Sequence, residues 1–169
     1  MIRFTLLLWL LVLPSFGAAQ QVTGTITSYA RTWYLTRLDG QSKSGWSGDG
    51  QTAIVTMFGH ATDSTIKELQ GALTIRFYLF DPTGARFVNE VDIVYYEDAA
   101  KGAYVTKGHG DGSIIELEDV RLDGEIISLQ GRFDVTLLFT DDFGATLDPD
   151  DTRQFSGKFK VTLTQEVKN

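Results

Sequence analysis

The chain has 169 residues, with 15 Lys and Arg against 22 Asp and Glu, a net charge of −7, 17 glycines and no cysteine. That length suits one domain with a proper core, and the acidic balance disfavours phosphate backbones and anionic lipid surfaces, so no nucleic-acid partner is expected. Without cysteine neither a disulfide nor a lipoprotein anchor can form, and stability must come from packing.

Residues 1–19 read as a signal peptide. Met1-Ile2-Arg3 is a short positive start, Phe4 to Leu13 is an apolar run broken only by Thr5, and Gly17-Ala18-Ala19 places small residues before a cut at Gln20. The run is well short of the ~20 residues that span a bilayer, and no later stretch is long and apolar enough to do so. Cleavage leaves residues 20–169 as a single all-β domain. It removes Arg3 and no acid, so 14 basic residues then face 22 acids, a net charge of −8. The only asparagines, Asn89 and Asn169, start no glycosylation sequon. An exported chain lacking both disulfides and sequons is expected in a bacterial periplasm or secreted by a bacterium.

Val22 to Tyr29 and Thr32 to Leu38 are rich in β-branched and aromatic residues and predict two strands. Gln41 to Gln51 alternates Gly and Ser around Trp46 and predicts a loop. Ala53 to His60 predicts a strand apolar on both faces. Thr65 to Gln70 is ambiguous between turn and helix. Ala72 to Phe80 and Arg86 to Tyr96 predict a hairpin around Asp81-Pro82-Thr83-Gly84, with Phe87, Val91, Ile93 and Tyr95 sharing a face. Tyr104 to Lys107 reads as a short edge strand and Gly108 to Gly112 as a loop. Ile114 to Leu122 changes apolar phase between Leu117 and Val120, which predicts a bulge, and Asp123-Gly124 predicts a hairpin turn. Glu125 to Phe139 is a long strand, Thr140 to Arg153 a loop, and Gln154 to Val167 the last strand.

One phrase occurs twice. Gly131-Arg132-Phe133-Asp134-Val135-Thr136-Leu137 and Gly157-Lys158-Phe159-Lys160-Val161-Thr162-Leu163 each alternate an apolar trio with polar residues. Alternation of that kind sends the trio to one face of a strand and the polar residues to the other. The copies predict adjacent antiparallel strands, and the opening glycines a bulge or a close backbone approach. No segment shows helical periodicity. About nine short strands joined by Gly and Asp turns predict an antiparallel β-sandwich, with a closed barrel as the second choice.

Chemistry is less legible. Asp141, Asp142, Asp148, Asp150 and Asp151 fall close together and offer oxygens suited to calcium. They lack the D-x-D-x-D-G order of a calcium loop, and the same residues suit a solvated turn. His60 and His109 beside Asp111 offer two nitrogens without zinc spacing. Gly45-Trp46-Ser47-Gly48-Asp49 misses the nucleophile elbow, with Asp49 in place of its second glycine. His60, Asp63 and Ser64 are triad residue types, but triads assemble from distant segments. Glu97/Asp98 and Glu116/Glu118 are acid pairs that equally suit a solvated surface. Trp33, Tyr34 and Trp46 are the aromatic candidates for ligand contact, with a core-filling role as the alternative.

Arg31-Thr32-Trp33-Tyr34 resembles the G-x-W-Y opening of the lipocalins, with Arg31 in place of the glycine and no helix before the last strand. That resemblance implies an eight-stranded barrel around a small apolar ligand. With no catalytic motif complete, the expectation is a non-catalytic binding or envelope-associated module that meets a protein or a glycan through its loops. A ligand-holding barrel and a hydrolase using carboxylates or histidine are the alternatives.

Overall fold

The computed structural model of the chain describes residues 20–35, 37–38, 41–42, 44–61, 69–108, 110, 112–142 and 144–166, with backbone alone at 37, 38, 41 and 42. The expected signal peptide, the histidine at 109, the Asp at 111, most of the ambiguous 65–70 stretch and the Thr-Asp-Ser at 62–64 lie outside the described residues.

The described strands are β1 (Gln21–Ile26), β2 (Tyr29–Leu35), β3 (Arg37–Leu38), β4 (Gln41–Ser42), β5 (Gly45–Gly48), β6 (Thr52–His60), β7 (Leu73–Phe80), β8 (Phe87–Tyr95), β9 (Ala103–Val105), β10 (Ile115–Asp123), β11 (Ile126–Thr140) and β12 (Asp148–Thr164). A 3-10 turn, Gly112–Ile114, precedes β10. Among the described residues no helix is long and apolar enough to cross a membrane.

The all-β, antiparallel class is as the sequence predicts. Ten strands join in one sheet along β10-β11-β12-β1-β2-β6-β7-β8-β9, with β5 on β6, and β9 also bonds β11, so the bonding runs in a ring. Two well-zipped runs make up that ring. β10, β11, β12, β1 and β2 pair over most of their lengths, as do β5 to β8. The seams between the runs are short. Among the described residues β2 meets β6 at Tyr34–His60 and Leu35–Gly59, and three-residue β9 bridges β8 to β11. Two faces therefore oppose each other as in a sandwich, joined at their edges by short pairings.

Rings from the two faces meet in the middle. Trp33 on β2 lies edge-on to Tyr95 of β8 and Phe155 of β12, with centroids 6.1 and 5.5 Å away, and Phe77 of β7 reaches Phe159 of β12 at 6.5 Å. Burying such a side chain is worth roughly 1.5–3 kcal/mol relative to leaving it exposed, so these residues anchor the fold.

The repeated phrase explains itself in register. Gly131 stands opposite Phe159, and Gly157 opposite Phe133. A Cβ on Gly157 would lie 2.6 Å from Phe133 Cζ, and one on Gly131 2.9 Å from Phe159 Cζ. Each phenylalanine thus covers the other strand's glycine, and the phrase is a reciprocal pair of ring and gap.

The structure differs from the sequence reading in several places. The Gly/Ser stretch contains strand β5, because Trp46 is buried, at 2% exposed, and pairs across to Val55. The residues from Asp148 to Arg153 belong to β12 and not to a loop, although Pro149, Asp150 and Asp151 have no register partner on β11. β9 has neighbours on both sides and is not an edge. The turn expected at Asp123-Gly124 falls one residue later, since Asp123 pairs Ile126 and Gly124 takes φ 57°. The β10 bulge is where the phase change places it, between Leu117 and Asp119. A second bulge was not legible. Glu90 and Val91 together oppose Phe77, with Glu90 at φ 49°. The extra residue turns Phe87 to the outer face, where it is 57% exposed, while Val91, Ile93 and Tyr95 stay in the core.

Candidate functional site

A broad depression lies across the outer face of β10, β11, β12, β1 and β2. It encloses about 1000 Å³ and continues into a second hollow of about 420 Å³ that shares Thr23, Glu118 and Lys158. Strand pairing builds it in rows. Glu116, Arg132, Lys158, Thr23 and Thr32 stand side by side on five strands. Asp134, Ser156, Thr25 and Ala30 form the next row on four. These are the polar positions of the repeated phrase and of β1, forced outward because their neighbours Phe133, Phe159 and Val22 face the core. Gly24 and Gly157 lie in the same surface.

Its polar groups are partly held by one another. Arg132 donates to Glu116 through Nε at 3.0 Å and Nη2 at 2.6 Å, and that carboxylate's hydrogen bond and charge raise the guanidinium above its ordinary pKa. Gln130 donates to Glu118 at 2.7 Å, and Gln154 to Asp134 at 2.5 Å. Exposed pairs of this kind add little stability, and each sets a donor beside an acceptor on the groove's surface. Lys158 and Lys160 are exposed and enter no ion pair with the described residues.

The residues singled out from sequence are placed differently. Trp33 is fully buried, its indole N–H donating to the Gly71 carbonyl at 3.0 Å. Trp46 is buried and donates to the Glu125 carbonyl at 3.0 Å. Both satisfy their one polar atom inside the fold, as buried indoles do, so neither ring meets solvent. Tyr34 is 38% exposed on the outer face of β2. The rings of Trp33, Phe77, Phe155 and Phe159 occupy the interior where the lipocalin resemblance implies an apolar ligand.

The acidic residues scatter. Among the described residues no group of three or more His, Asp or Glu converges to hold a metal. Asp141, Asp148 and Asp150 are exposed, and Asp148 accepts from the Asp150 N–H at 2.9 Å. Asp151 accepts from the Tyr104 hydroxyl at 3.1 Å and from Arg153 at 2.8 Å. Arg153 also reaches Glu97 at 2.9 Å and lies over the Tyr104 ring at 4.3 Å. Burial first, then the bond to Asp151, pushes the Tyr104 phenol up to about 12. His60 ends β6 in a buried position.

Asp142 closes a turn. It accepts from the Thr146 N–H and the Thr140 hydroxyl, both at 2.8 Å, and the Thr146 backbone bond leads the causes that lower its pKa from 3.8 to about 2. A depressed acid stabilises the fold above its ordinary value and loses that contribution as pH falls from about 3.8 to about 2. Asp142→Asn, which cannot titrate, is expected to flatten the acid side of the stability profile over that window. Denaturant unfolding between pH 5 and pH 2 checks this, and an unchanged slope would contradict it.

The opposite outer face, on β7 and β8, carries a stripe that the sequence did not single out. Phe80 stacks on Phe87 at 4.8 Å and 10°, and Tyr78 on Phe80 at 6.4 Å and 20°. Arg76 lies 5.9 Å from the Tyr78 ring centroid. The stripe exists because the β8 bulge brings Phe87 round to meet Phe80.

Comparison with protein-family models, with curated proteins and with solved structures finds no match for this chain.

Proposed function

We propose that the protein is an exported, non-catalytic binding module that holds a glycan along the groove over β10, β11, β12, β1 and β2. The groove itself carries the reading. Five strands at ~4.8 Å spacing span roughly 20 Å, enough for several sugar units laid across them. Its walls present hydroxyls of Thr23, Thr25, Thr32 and Ser156 beside the fixed Glu116–Arg132 pair. Sugar hydroxyls both donate and accept, and a surface that alternates donors with acceptors in fixed positions suits them. The contact lies on the sheet face and not on the loops, because a strand face holds its side chains more rigidly than a turn does. The indoles first considered for contact are in the core and take no part. The signal-peptide pattern of the first nineteen residues supports the exported setting.

Isothermal titration with cellotetraose, chitotetraose and tetragalacturonate tests the reading. At least one is expected to bind, and Arg132→Ala is expected to weaken that binding by about tenfold or more, since it removes a charged hydrogen-bond donor. Binding that persists unchanged in Arg132→Ala, or no binding of any of the three, would contradict it.

A further inference from the structure

Thr27 and Ser28 turn the chain between β1 and β2, and Thr27 stands at φ 57°. A β-branched residue in the left-handed region is an outlier that persists only where its surroundings enforce it. Here the turn walls a cavity of about 200 Å³, bounded also by Tyr29, Arg31, Tyr95, Glu97 and Arg153.

Two groups in that cavity lack partners. Tyr95 is 1% exposed, and its ring is fixed against Trp33. Among the described residues nothing bonds its hydroxyl, and that oxygen is not among the fully buried unpartnered atoms, so it opens to the cavity that Tyr95 lines. Desolvation pushes the phenol above its ordinary pKa while Arg31, close enough to act on it, pulls the other way. At neutral pH the group is an O–H donor. Arg31 is exposed and enters no ion pair among the described residues, in a chain with 22 acidic side chains. The other two charges are already committed. Arg153 bonds Glu97 at 2.9 Å and Asp151 at 2.8 Å, which offsets the Glu97 carboxylate and fixes that wall. What remains open is one guanidinium and one phenol donor in a single small space. A carboxylate has two oxygens and satisfies both. At about 30 Å³ per water, the space equals a handful of waters or one small acid.

We propose that this cavity binds the carboxylate of a small organic acid, one oxygen on Arg31 and the other on the Tyr95 hydroxyl. The site is separate in chemistry from the groove and stands whether or not a glycan binds there, although Arg31 borders both hollows.

The test is an NMR titration of the protein with sodium acetate and sodium succinate, against sodium chloride at equal ionic strength. Saturable shifts are expected at the Arg31 Nε–H and the Tyr95 ring. Arg31→Gln is expected to weaken binding by about tenfold or more, and Tyr95→Phe by a smaller factor. Because the Tyr95 hydroxyl lacks a partner, Tyr95→Phe is expected to leave the thermal midpoint unchanged or raised, which separates loss of a ligand contact from loss of fold. Shifts reproduced by chloride, tighter binding of inorganic phosphate than of either acid, no saturable shift, or binding unaltered in both variants would each overturn the proposal.

Discussion

Gly157→Ala is expected to destabilise the protein by about 3 kcal/mol and to lower its thermal midpoint by roughly 6–12 °C. The added Cβ would lie 2.5 Å from the Thr23 carbonyl oxygen, 2.6 Å from Phe133 Cζ and 3.0 Å from Gly24 Cα. Two of those three atoms are backbone, held in the β1–β12 ladder by the pairing of Thr23 with Lys158 and Gly24 with Gly157. They cannot swing aside as a side chain can, so the clash must spread strain along two strands. Shrinking the ring with Phe133→Leu relieves only one of the contacts and is expected to rescue Gly157→Ala in part. Gly124 is the useful contrast. It takes φ 57° in a turn with nothing within 4 Å of an added Cβ, so its replacement by Ala carries only the left-handed penalty of about 1–2 kcal/mol. Urea unfolding of the three variants checks the order. Gly157→Ala as stable as the parent would show that the close approach of β1, β11 and β12 is wrong.

Trp33→Ala is expected to cost about 3–5 kcal/mol. The indole is fully buried and touches both halves of the sheet through Tyr95 and Phe155. It also stands next to the β2–β6 seam, which shows two register pairs among the described residues. Truncation leaves a cavity, and among the described residues it removes the one donor to the Gly71 carbonyl. Trp33→Phe keeps part of the packing but not that bond, and is expected to fall between parent and Ala, with about 1–3 kcal/mol due to the stranded carbonyl. A loss below about 1 kcal/mol for Trp33→Ala would mean that the middle of the ring is not packed as described.

Much of the fold was legible in the sequence, for physical reasons that differ by element. Strict alternation in the repeated phrase announced β11 and β12 as neighbours, since a period of two leaves a strand little freedom over which face it buries. The Leu117–Val120 phase change announced the β10 bulge for the same reason. The β8 bulge left no such mark, because Phe87 and Val91 are both apolar and the slip hides in a run that reads equally well in either phase. Ring closure was not legible either. It depends on the three residues of β9 and on two pairs between β2 and β6, and pairing across such distances has no local signature.

The site was less legible than the fold. Aromatic residues drew attention as contacts, but Trp33 and Trp46 are hydrophobic first and lie where burial gains most. Asp142, Asp148 and Asp151 read as metal ligands in sequence, yet each has at least one oxygen taken by a nearby N–H, hydroxyl or guanidinium. Part of the groove is the polar half of the repeated phrase. Arg132, Asp134, Lys158 and Lys160 read as a solvated face, and only the order of strands shows that Thr23, Thr25 and Thr32 extend it.

Chemical-shift mapping of the protein with whichever tetrasaccharide it binds tests the central claim most directly. Shifts are expected to gather at Thr23, Thr25, Arg132, Ser156 and Lys158, on the groove. Shifts gathered instead at Tyr78, Phe80 and Phe87, on the far side of the sheet, would contradict it.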